Sequence, residues 1–410
     1  MISLTEAQQR ILDAVAPLPP RLVALRDARG LVLARDVIAS EMVPPFANTA
    51  MDGYAVRATD TADASDGTPA KLRVVGELAA GVAPTTAVAA GQAIRIMTGA
   101  PMPAGADAVV MVERTESEGD AVSIFAAAKV GDHVRHAGGD LEIGQRVFDA
   151  GTVLTPAHLG VLASLDLAEV SCHPRPRVGV CSTGDELVAS GPLAPGLIRD
   201  SNRPMLLAVL EEAGCEAVDY GIGRDDRDAL TEIITRALDE CDALVTSGAV
   251  SMGDYDFVKV VLEELAAARP VGPGGRNTYE WMQIAIKPAK PLAFAAIAGV
   301  PVFGLPGNPV SSRVSFELLA RPALRKLAGR PDVLATPVVA VAPSGLPRRP
   351  DGRVHFDRVS VRYEAGGYVC ERAGFQASNV LSGMAAAAGL AVLEDGTGVE
   401  PGGEVPVLLI

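Results

Sequence analysis

Carboxylates, serines and glycines recur where predicted strands end, most densely in the stretch 242–259. An apolar run of strand length comes first, then a loop with two glycines, then two acidic residues and an apolar pattern at helical spacing. The candidate binding residues of this stretch are Ser247, Gly248, Ser251, Asp254 and Asp256. Loop amides and a helix N-terminus can bind an oxyanion, and carboxylates can bind a divalent cation. The stretch therefore predicts a metal–phosphate site.

Three further loops carry polar or acidic residues after predicted strands. They span 182–186, 221–226 and 305–311, and their candidate residues are Thr183, Gly184, Asp185, Glu186, Asp225, Pro306, Asn308 and Ser311. Taken singly, an acidic residue at a helix start is more often a cap than a ligand. Because parallel strands place all four loops at one edge of a sheet, the conjunction favours one site.

Two lysines, Lys287 and Lys290, lie in an apolar, acid-poor segment. Alone, this segment fits a solvated turn equally well. Beside the carboxylate loops, the lysines become candidates for holding oxyanions as point charges. Asp52 and Thr98 each precede a glycine, which by itself is ordinary turn material.

Several familiar catalytic and binding motifs are absent or incomplete in the sequence. The pair His133 and His136 lacks a third metal ligand. The dinucleotide fingerprint and the phosphate-binding loop motif are both missing. The segment 248–253 misses the nucleophile-elbow spacing of a serine hydrolase by one residue.

Composition restricts the class of protein. A chain of 410 residues with 49% hydrophobic residues predicts two to four domains. The net charge of −14 argues against a nucleic-acid partner, since phosphate backbones need a basic face. The five cysteines are scattered, which is typical of a reduced protein. No signal peptide or membrane helix is predicted, so we expect a soluble, cytoplasmic protein without membrane contact.

The order of elements predicts a multidomain α/β plus β protein. Strands alternate with helices over 175–331, which predicts a three-layer α/β/α domain with a mostly parallel sheet. Short β-like runs between turns predict an inserted β-rich domain at 44–144 and a C-terminal, barrel-like β domain at 332–410. The flanking segments 1–43 and 145–174 are predicted to form a helical N-terminal domain.

Five segments together resemble a known family. They are 44–57 (PPFANTAMDGYAVR), 94–113 (IRIMTGAPMPAGADAVVMVE), 182–187 (STGDEL), 247–259 (SGAVSMGDYDFVK) and 305–311 (LPGNPVS). In this order they resemble the molybdopterin molybdenumtransferases, the family that includes the gephyrin E domain. The match spans nearly the whole chain.

This resemblance implies four domains and a homodimer whose active site borrows the N-terminal domains of the partner subunit. It implies the last step of molybdenum-cofactor assembly, in which adenylylated molybdopterin and molybdate react in the presence of Mg²⁺ and AMP leaves. Molybdopterin adenylyltransferase and molybdoenzymes are then further partners. A cation and lysines would neutralise the negative charges that this chemistry gathers.

The resemblance also implies roles for individual residues. The acidic residues Glu186, Asp225 and Asp256 fall on family positions for Mg²⁺ or pterin contacts, and Asp254 is an additional metal candidate. Lys287 falls on a family lysine expected to bind phosphate or molybdate. Those expected to contribute from other domains are Asp52, Thr98, Asp140 and Ser382.

The chain departs from the family pattern at Ala249, Gln283, Ala289 and Ala377. Two alternative functions remain. A non-catalytic scaffold of the gephyrin type is disfavoured by the retained carboxylates. A molybdopterin adenylyltransferase is disfavoured by the three extra domains.

Overall fold

The computed structural model describes residues 1–248, 257–271 and 277–410. Within these ranges the helices are α1 Leu4–Asp13, α2 Pro156–Ser164, α3 Asn202–Glu212, α4 Arg227–Glu240, α5 Phe257–Ala268, α6 Pro309–Ser315, α7 Arg321–Leu327 and α8 Leu381–Ala385. A π-helical turn, Phe316–Ala320, joins α6 to α7. No helix within the described ranges is both long and apolar enough to cross a membrane.

The first 173 residues are built mainly from short strands. These are β1 Arg21–Ala24, β2 Val32–Leu33, β3 Val37–Ile38, β4 Asn48–Thr49, β5 Gly53–Val56, β6 Ala70–Leu78, β7 Gln92–Ile96, β8 Ala108–Met111, β9 Thr115–Glu118, β10 Ala121–Ile124, β11 Val134–Arg135, β12 Arg146–Phe148 and β13 Glu169–His173. The segment predicted to be β-rich holds a six-stranded sheet in the order β8-β5-β7-β6-β10-β9.

The prediction of a helical N-terminal domain is wrong. Helix α1 buries Ala7 and Ile11 in the same core cluster as the helices α3, α6 and α7, far along the chain. The rest of the two flanks is held by the sheet β1-β13-β2 and the pair β3-β12, with α2 beside them. The apolar face of α1 is buried only when it packs on a larger apolar surface, which the C-terminal helices supply.

The central region is a three-layer α/β unit. Its strands are β14 Arg177–Thr183, β15 Leu187–Val188, β16 Ile198–Arg199, β17 Glu216–Gly223, β18 Ala243–Ser247, β19 Thr278–Gln283, β20 Ile286–Lys287, β21 Pro291–Ile297 and β22 Val300–Leu305. The main sheet has the order β17-β14-β18-β22-β21-β19. The first four strands are parallel. Strand β21 runs antiparallel to β22, and the edge strand β19 runs antiparallel to β21. The carboxyl ends of the four parallel strands therefore share one edge.

Both faces of this sheet are covered, which explains its continuous apolar strands. Helices α1, α3, α6 and α7 pack on one face, and α4 and α5 pack on the other. Every residue of β18 is buried. Helix α4 begins where Asp226 accepts a hydrogen bond from the backbone of Ala229, so at Asp226 the acidic residue is a cap.

The C-terminal region is a closed β-barrel, as predicted. Its strands are β23 Val338–Ala342, β24 Leu346–Pro347, β25 Val354–Glu364, β26 Gly367–Arg372, β27 Gly389–Leu393, β28 Gly398–Val399 and β29 Gly403–Leu409. The order β25-β26-β23-β29-β27 closes through pairing of β27 with β25. Strand β20, from the α/β unit, pairs in parallel with β25. The two units therefore share a β-ladder.

Candidate active site

A cleft of about 1160 Å³ lies between the carboxyl edge of the parallel strands and the barrel. Loops from β14, β18 and β22 form one wall, and barrel residues form the other. The predicted site residues that line it are Thr183, Glu186, Ser247, Gly248, Lys287, Lys290, Pro306, Asn308 and Ser311. Residues from distant parts of the chain thus meet at one place, because parallel strands carry their following loops to a common edge.

Short contacts between neighbouring loops form the floor of the cleft. The Gly248 amide donates to the Leu305 carbonyl at 3.2 Å, which links the ends of β18 and β22. The Thr183 hydroxyl donates to the Ser247 carbonyl at 3.4 Å, which links β14 to β18. Gly248 has φ +106°, and a Cβ there would lie 2.2 Å from the Thr183 carbonyl oxygen. This close approach requires a glycine.

An acidic corner adjoins the cleft at the ends of β14 and β17. The backbone amide of Asp225 donates to Asp185 Oδ1 at 3.3 Å, and the Glu186 carboxylate lies over Gly184. Partial burial raises the pKa of Asp225, and the neighbouring carboxylates of Asp185 and Glu186 add to the rise. The predicted acidic residues of these two loops are therefore neighbours, and a cation placed among them would relieve their repulsion.

Replacing Asp225 by asparagine is expected to raise the free energy of unfolding at neutral pH, in the absence of divalent metal. Because the pKa of Asp225 is raised above its ordinary value, its ionised form is less stable in the folded chain than in the unfolded chain. The destabilisation is fully present above the folded-state pKa. It disappears as the pH falls below the unfolded-state value, where both states are protonated.

Urea unfolding in EDTA at about pH 7 and about pH 3 measures this gain. Asp228→Asn is the matched control, because it removes a carboxylate from an exposed position in the first turn of α4. Equal stability changes for both variants at neutral pH would contradict the proposed repulsion.

The lysine segment forms one side of the cleft. Ala289, between the two lysines, is 97% buried and has φ +79°. This left-handed conformation is costly for a residue with a Cβ, and its strain is part of how the segment is held. Lys287 reaches towards the barrel, with Nζ 4.0 Å from Asp351 Oδ2.

The barrel wall is rich in arginine and centres on Asp351. This carboxylate pairs with Arg353, with Arg348 at 3.1 Å and with His355 at 3.1 Å. Hydrogen bonding from Arg353 and then from His355 holds the pKa of Asp351 far below its usual range. Burial lowers the pKa of His355. The positive charges of Arg348 and Lys287 lower it further, and the Asp351 carboxylate partly opposes the shift. At neutral pH this wall therefore presents arginine and lysine charges beside a neutral histidine.

A second buried arginine, Arg358, fixes the loop that closes the far end of the cleft. It is 1% exposed and donates to the carbonyls of Phe375 and Ala377 at 2.7 and 3.0 Å. This arrangement brings Ser378 to the cleft. Ser382, predicted to contribute to cofactor binding, is exposed on α8 and does not line this cleft. The loop turns at Ser378 and Asn379, and α8 begins at Leu381.

Among the described residues that line the cleft, cations outnumber carboxylates by eight to four. The cations are Arg199, Lys287, Lys290, Arg348, Arg349, Arg353, Arg358 and Arg372, and the carboxylates are Glu186, Asp200, Asp351 and Asp357. The whole chain, by contrast, has a net charge of −14. This concentration of positive charge would attract a polyanionic ligand and focus its field in the cleft.

Several predicted residues lie elsewhere. Asp52 caps a local turn, where its carboxylate accepts two bonds of 2.6 Å from Thr98 and its pKa is lowered by them. Asp140 donates its backbone amide to the Val43 carbonyl. These three residues belong to the inserted β-rich segment and do not line the cleft of their own chain. Ser251, Asp254 and Asp256 lie outside the described residues, as does Ala249.

The described residues alone do not provide a metal site. Within residues 1–248, 257–271 and 277–410, no three His, Cys, Asp or Glu side chains are grouped to hold an ion. Asp225 and Glu186 offer part of an oxygen ligand set, since Mg²⁺ is commonly bound by one or two carboxylates and by substrate phosphates.

Two groups of functional residues were missed from the sequence. The arginines at 348, 349 and 353 cluster in the sequence, and this clustering was the signal that could have found them. Asn202 is the first helical residue of α3, and its side chain faces the strand-end loops. Its Oδ1 is buried without a partner, which costs about 1–3 kcal/mol.

Family models match three consecutive parts of the chain. The MoeA N-terminal region (domain I and II) matches residues 2–165, the probable molybdopterin binding domain matches 179–326, and the MoeA C-terminal region (domain IV) matches 340–410. Among solved structures, the molybdopterin biosynthesis moea protein from Pyrococcus horikosii is 31% identical. It covers 100% of this chain and 99% of its own, with a TM-score of 0.81.

Curated relatives match over almost the full length. Molybdopterin molybdenumtransferase 2 of Mycobacterium tuberculosis is 40% identical over 391 residues, 95% of each chain. Molybdopterin molybdenumtransferase of Haemophilus influenzae is 36% identical over 409 residues, 98% of this chain and 97% of the relative. With this arrangement of cleft, sheet and barrel, the chain belongs to the molybdopterin molybdenumtransferase family.

Proposed function

We propose that this protein inserts molybdenum into adenylylated molybdopterin, consuming molybdate and releasing AMP. The observation that carries the proposal is the cationic cleft at the carboxyl edge of the sheet, in an otherwise acidic chain. Its volume of about 1160 Å³ exceeds the range usual for small-molecule sites, as a nucleotide-linked pterin requires. A dithiolene, a phosphoanhydride and molybdate all bring negative charge, which lysines and arginines stabilise.

In this proposal the two walls of the cleft have different tasks. The strand-end loops bind the nucleotide-linked pterin through backbone amides and through Thr183, Ser247 and Asn308. Lys287 and Lys290 bind the phosphate or molybdate oxygens. The barrel arginines neutralise the remaining charge. The resulting positioning and charge neutralisation supply the catalytic effect.

Mg²⁺ is part of the proposal, with Asp225 and Glu186 as the described carboxylates that would hold it. When bound, the ion would neutralise phosphate oxygens. Asp254 and Asp256 stay predicted ligands from the sequence.

The test is molybdate-dependent AMP release by the purified protein from adenylylated molybdopterin, with Mg²⁺ titrated. Wild type is expected to need both molybdate and Mg²⁺, and Asp225→Asn to need more Mg²⁺ for half-maximal rate. Asp228→Asn should behave as wild type. Absence of AMP release from wild type under these conditions would reject the proposal. An AMP-release rate and Mg²⁺ requirement unchanged by Asp225→Asn would contradict the assignment of Asp225 to Mg²⁺.

We also propose a homodimer with an active site shared between protomers. Large apolar side chains are exposed on the N-terminal part of the chain, among them Leu22 (68%), Phe46 (45%) and Ile143 (65%). A partner subunit would cover them, and would supply Asp52, Thr98 and Asp140 to a cleft that their own chain leaves out of reach.

Mixing two inactive variants checks this arrangement. Asp52→Asn chains and Lys287→Met/Lys290→Met chains are each expected to be nearly inactive as homodimers. A refolded equal mixture should recover about a quarter of wild-type activity, because half of its dimers carry one intact site. Analytical ultracentrifugation reports the assembly state. A monomeric protein, or a mixture without recovery, would contradict the shared site.

A further inference from the structure

Three residues around the start of α3, Asp200, Asn202 and Arg203, contact all four parallel strands or the loops that follow them. Asp200 accepts from the Ser182 hydroxyl of β14 at 2.9 Å. Asn202 Nδ2 donates to the Ser247 hydroxyl of β18 at 2.7 Å and to the Gly307 carbonyl, after β22, at 2.7 Å. Arg203 pairs with Asp219 of β17 and with Asp200. We call residues 200–203 the strand clasp.

Asn202 is the central member of the strand clasp. It joins the two loops that carry Ser247–Gly248 and Pro306–Asn308, which together form much of the cleft floor. Its amide orientation is fixed, because the Gly307 carbonyl can only accept and must therefore face Nδ2. The other amide atom, Oδ1, is buried and has no partner. The residue is 92% buried and lines the cleft.

An unpartnered buried oxygen argues against a purely stabilising role. A leucine at this position would avoid burying an unpaired acceptor, but it could not donate to either loop. The two donors are therefore the property that this position uses. Capping of α3 is provided by Asp200, which accepts from the backbone amide of Arg203 at 3.1 Å, and not by Ser201 or Asn202.

We infer that Asn202 is a positioning residue that sets the spacing between the Ser247–Gly248 and Pro306–Asn308 loops for catalysis. Without it, the two loops are linked only by the Gly248–Leu305 backbone bond and by the Ser247 hydroxyl at 3.5 Å from the Pro306 carbonyl, so their spacing loosens and the bound phosphates lose their alignment. This inference rests on the proposed function for its kinetic consequence, although the loop spacing itself can be measured separately.

The experiment compares Asn202→Ala, Asn202→Asp and wild type in molybdate-dependent AMP release and in amide hydrogen exchange. Asn202→Ala should lower kcat about 30-fold with KM changed less than about threefold, because alignment is lost more than binding. Exchange at Gly248 should accelerate about tenfold or more, while exchange in β25 stays unchanged. For Asn202→Asp, the ratio of its activity to that of wild type should rise as the pH falls from about 8 to about 5, since a protonated carboxyl can again donate a hydrogen bond.

Asn277→Ala is the matched control. Asn277 also makes three side-chain hydrogen bonds, to Ala266, Arg269 and Ala298, but lies away from the cleft. It should lose stability without a change in kcat or in the shape of the pH profile. Equal kinetic effects in both variants, or a flat pH ratio for Asn202→Asp, would overturn the inference.

The exchange measurement separates this inference from the proposed function. If wild type releases no AMP, the proposed function fails. The rate of amide exchange at Gly248 then tests by itself whether Asn202 sets the loop spacing. Unchanged exchange at Gly248 in Asn202→Ala would then refute the spacing role.

Discussion

Replacing both Lys287 and Lys290 with methionine is expected to lower kcat/KM for the anionic substrates about 100-fold, which is about tenfold for each charge removed. Both lysines line the cleft, and methionine keeps a similar apolar stem while removing the ammonium group. The apparent KM for molybdate and for adenylylated molybdopterin should rise. The wild-type KM should also rise with salt, and the variant should show a flatter salt dependence.

Lys71→Met with Lys129→Met is the charge-matched control. Both lysines are exposed in the inserted β-rich segment and do not line the cleft. This control changes the net charge of the chain by the same amount, so it should leave both KM values near wild type. A similar rise in both KM values for the two double variants would mean that the overall charge of the chain, and not the position of the lysines, determines substrate affinity.

Gly248→Ala is expected to lower the free energy of unfolding by about 3 kcal/mol or more. Two costs add at this position. The φ of +106° disfavours any L side chain, and the new Cβ would lie 2.2 Å from the Thr183 carbonyl oxygen. That oxygen belongs to the backbone of a central strand, so it cannot move aside without disturbing the sheet.

Gly221→Ala isolates the first of these costs. Gly221 has φ +77°, and a Cβ there would meet nothing within 4 Å. Gly221→Ala should lower the free energy of unfolding by about 1 kcal/mol, the usual penalty for an alanine in the left-handed conformation. Urea unfolding of the two variants gives the difference. Equal losses would show that the approach of Gly248 to Thr183 is not a tight constraint.

The edge of the sheet that carries the site could be predicted from the sequence. Strands alternating with helices imply parallel strands, and these bring Thr183, Glu186 and Ser247 to one edge whatever the details of packing. Asp225 is likewise beside Glu186, as the loop order predicted. The prediction needed only chain order and the handedness of the connections.

Other features could not be predicted because they depend on long-range packing. A polar run before a helix looks the same whether it caps the helix or joins loops, so the contacts of Asn202 could not be predicted from the sequence. The apolar face of α1 carries no information about which surface covers it. Likewise, Arg353 and Arg358 reach the cleft only because the barrel closes beside the lysine segment.

Strand β20 has a consequence for how the chain can be divided. Ile286 and Lys287 sit between two strands of the α/β sheet in sequence, yet they pair with Val354 and His355 of the barrel. In a fragment ending near residue 331, Ile286, which is buried in the full chain, would be exposed on an unpaired strand edge. Such edges recruit strands from other molecules, so the barrel also acts as a shield against self-association of the region that carries the chemistry.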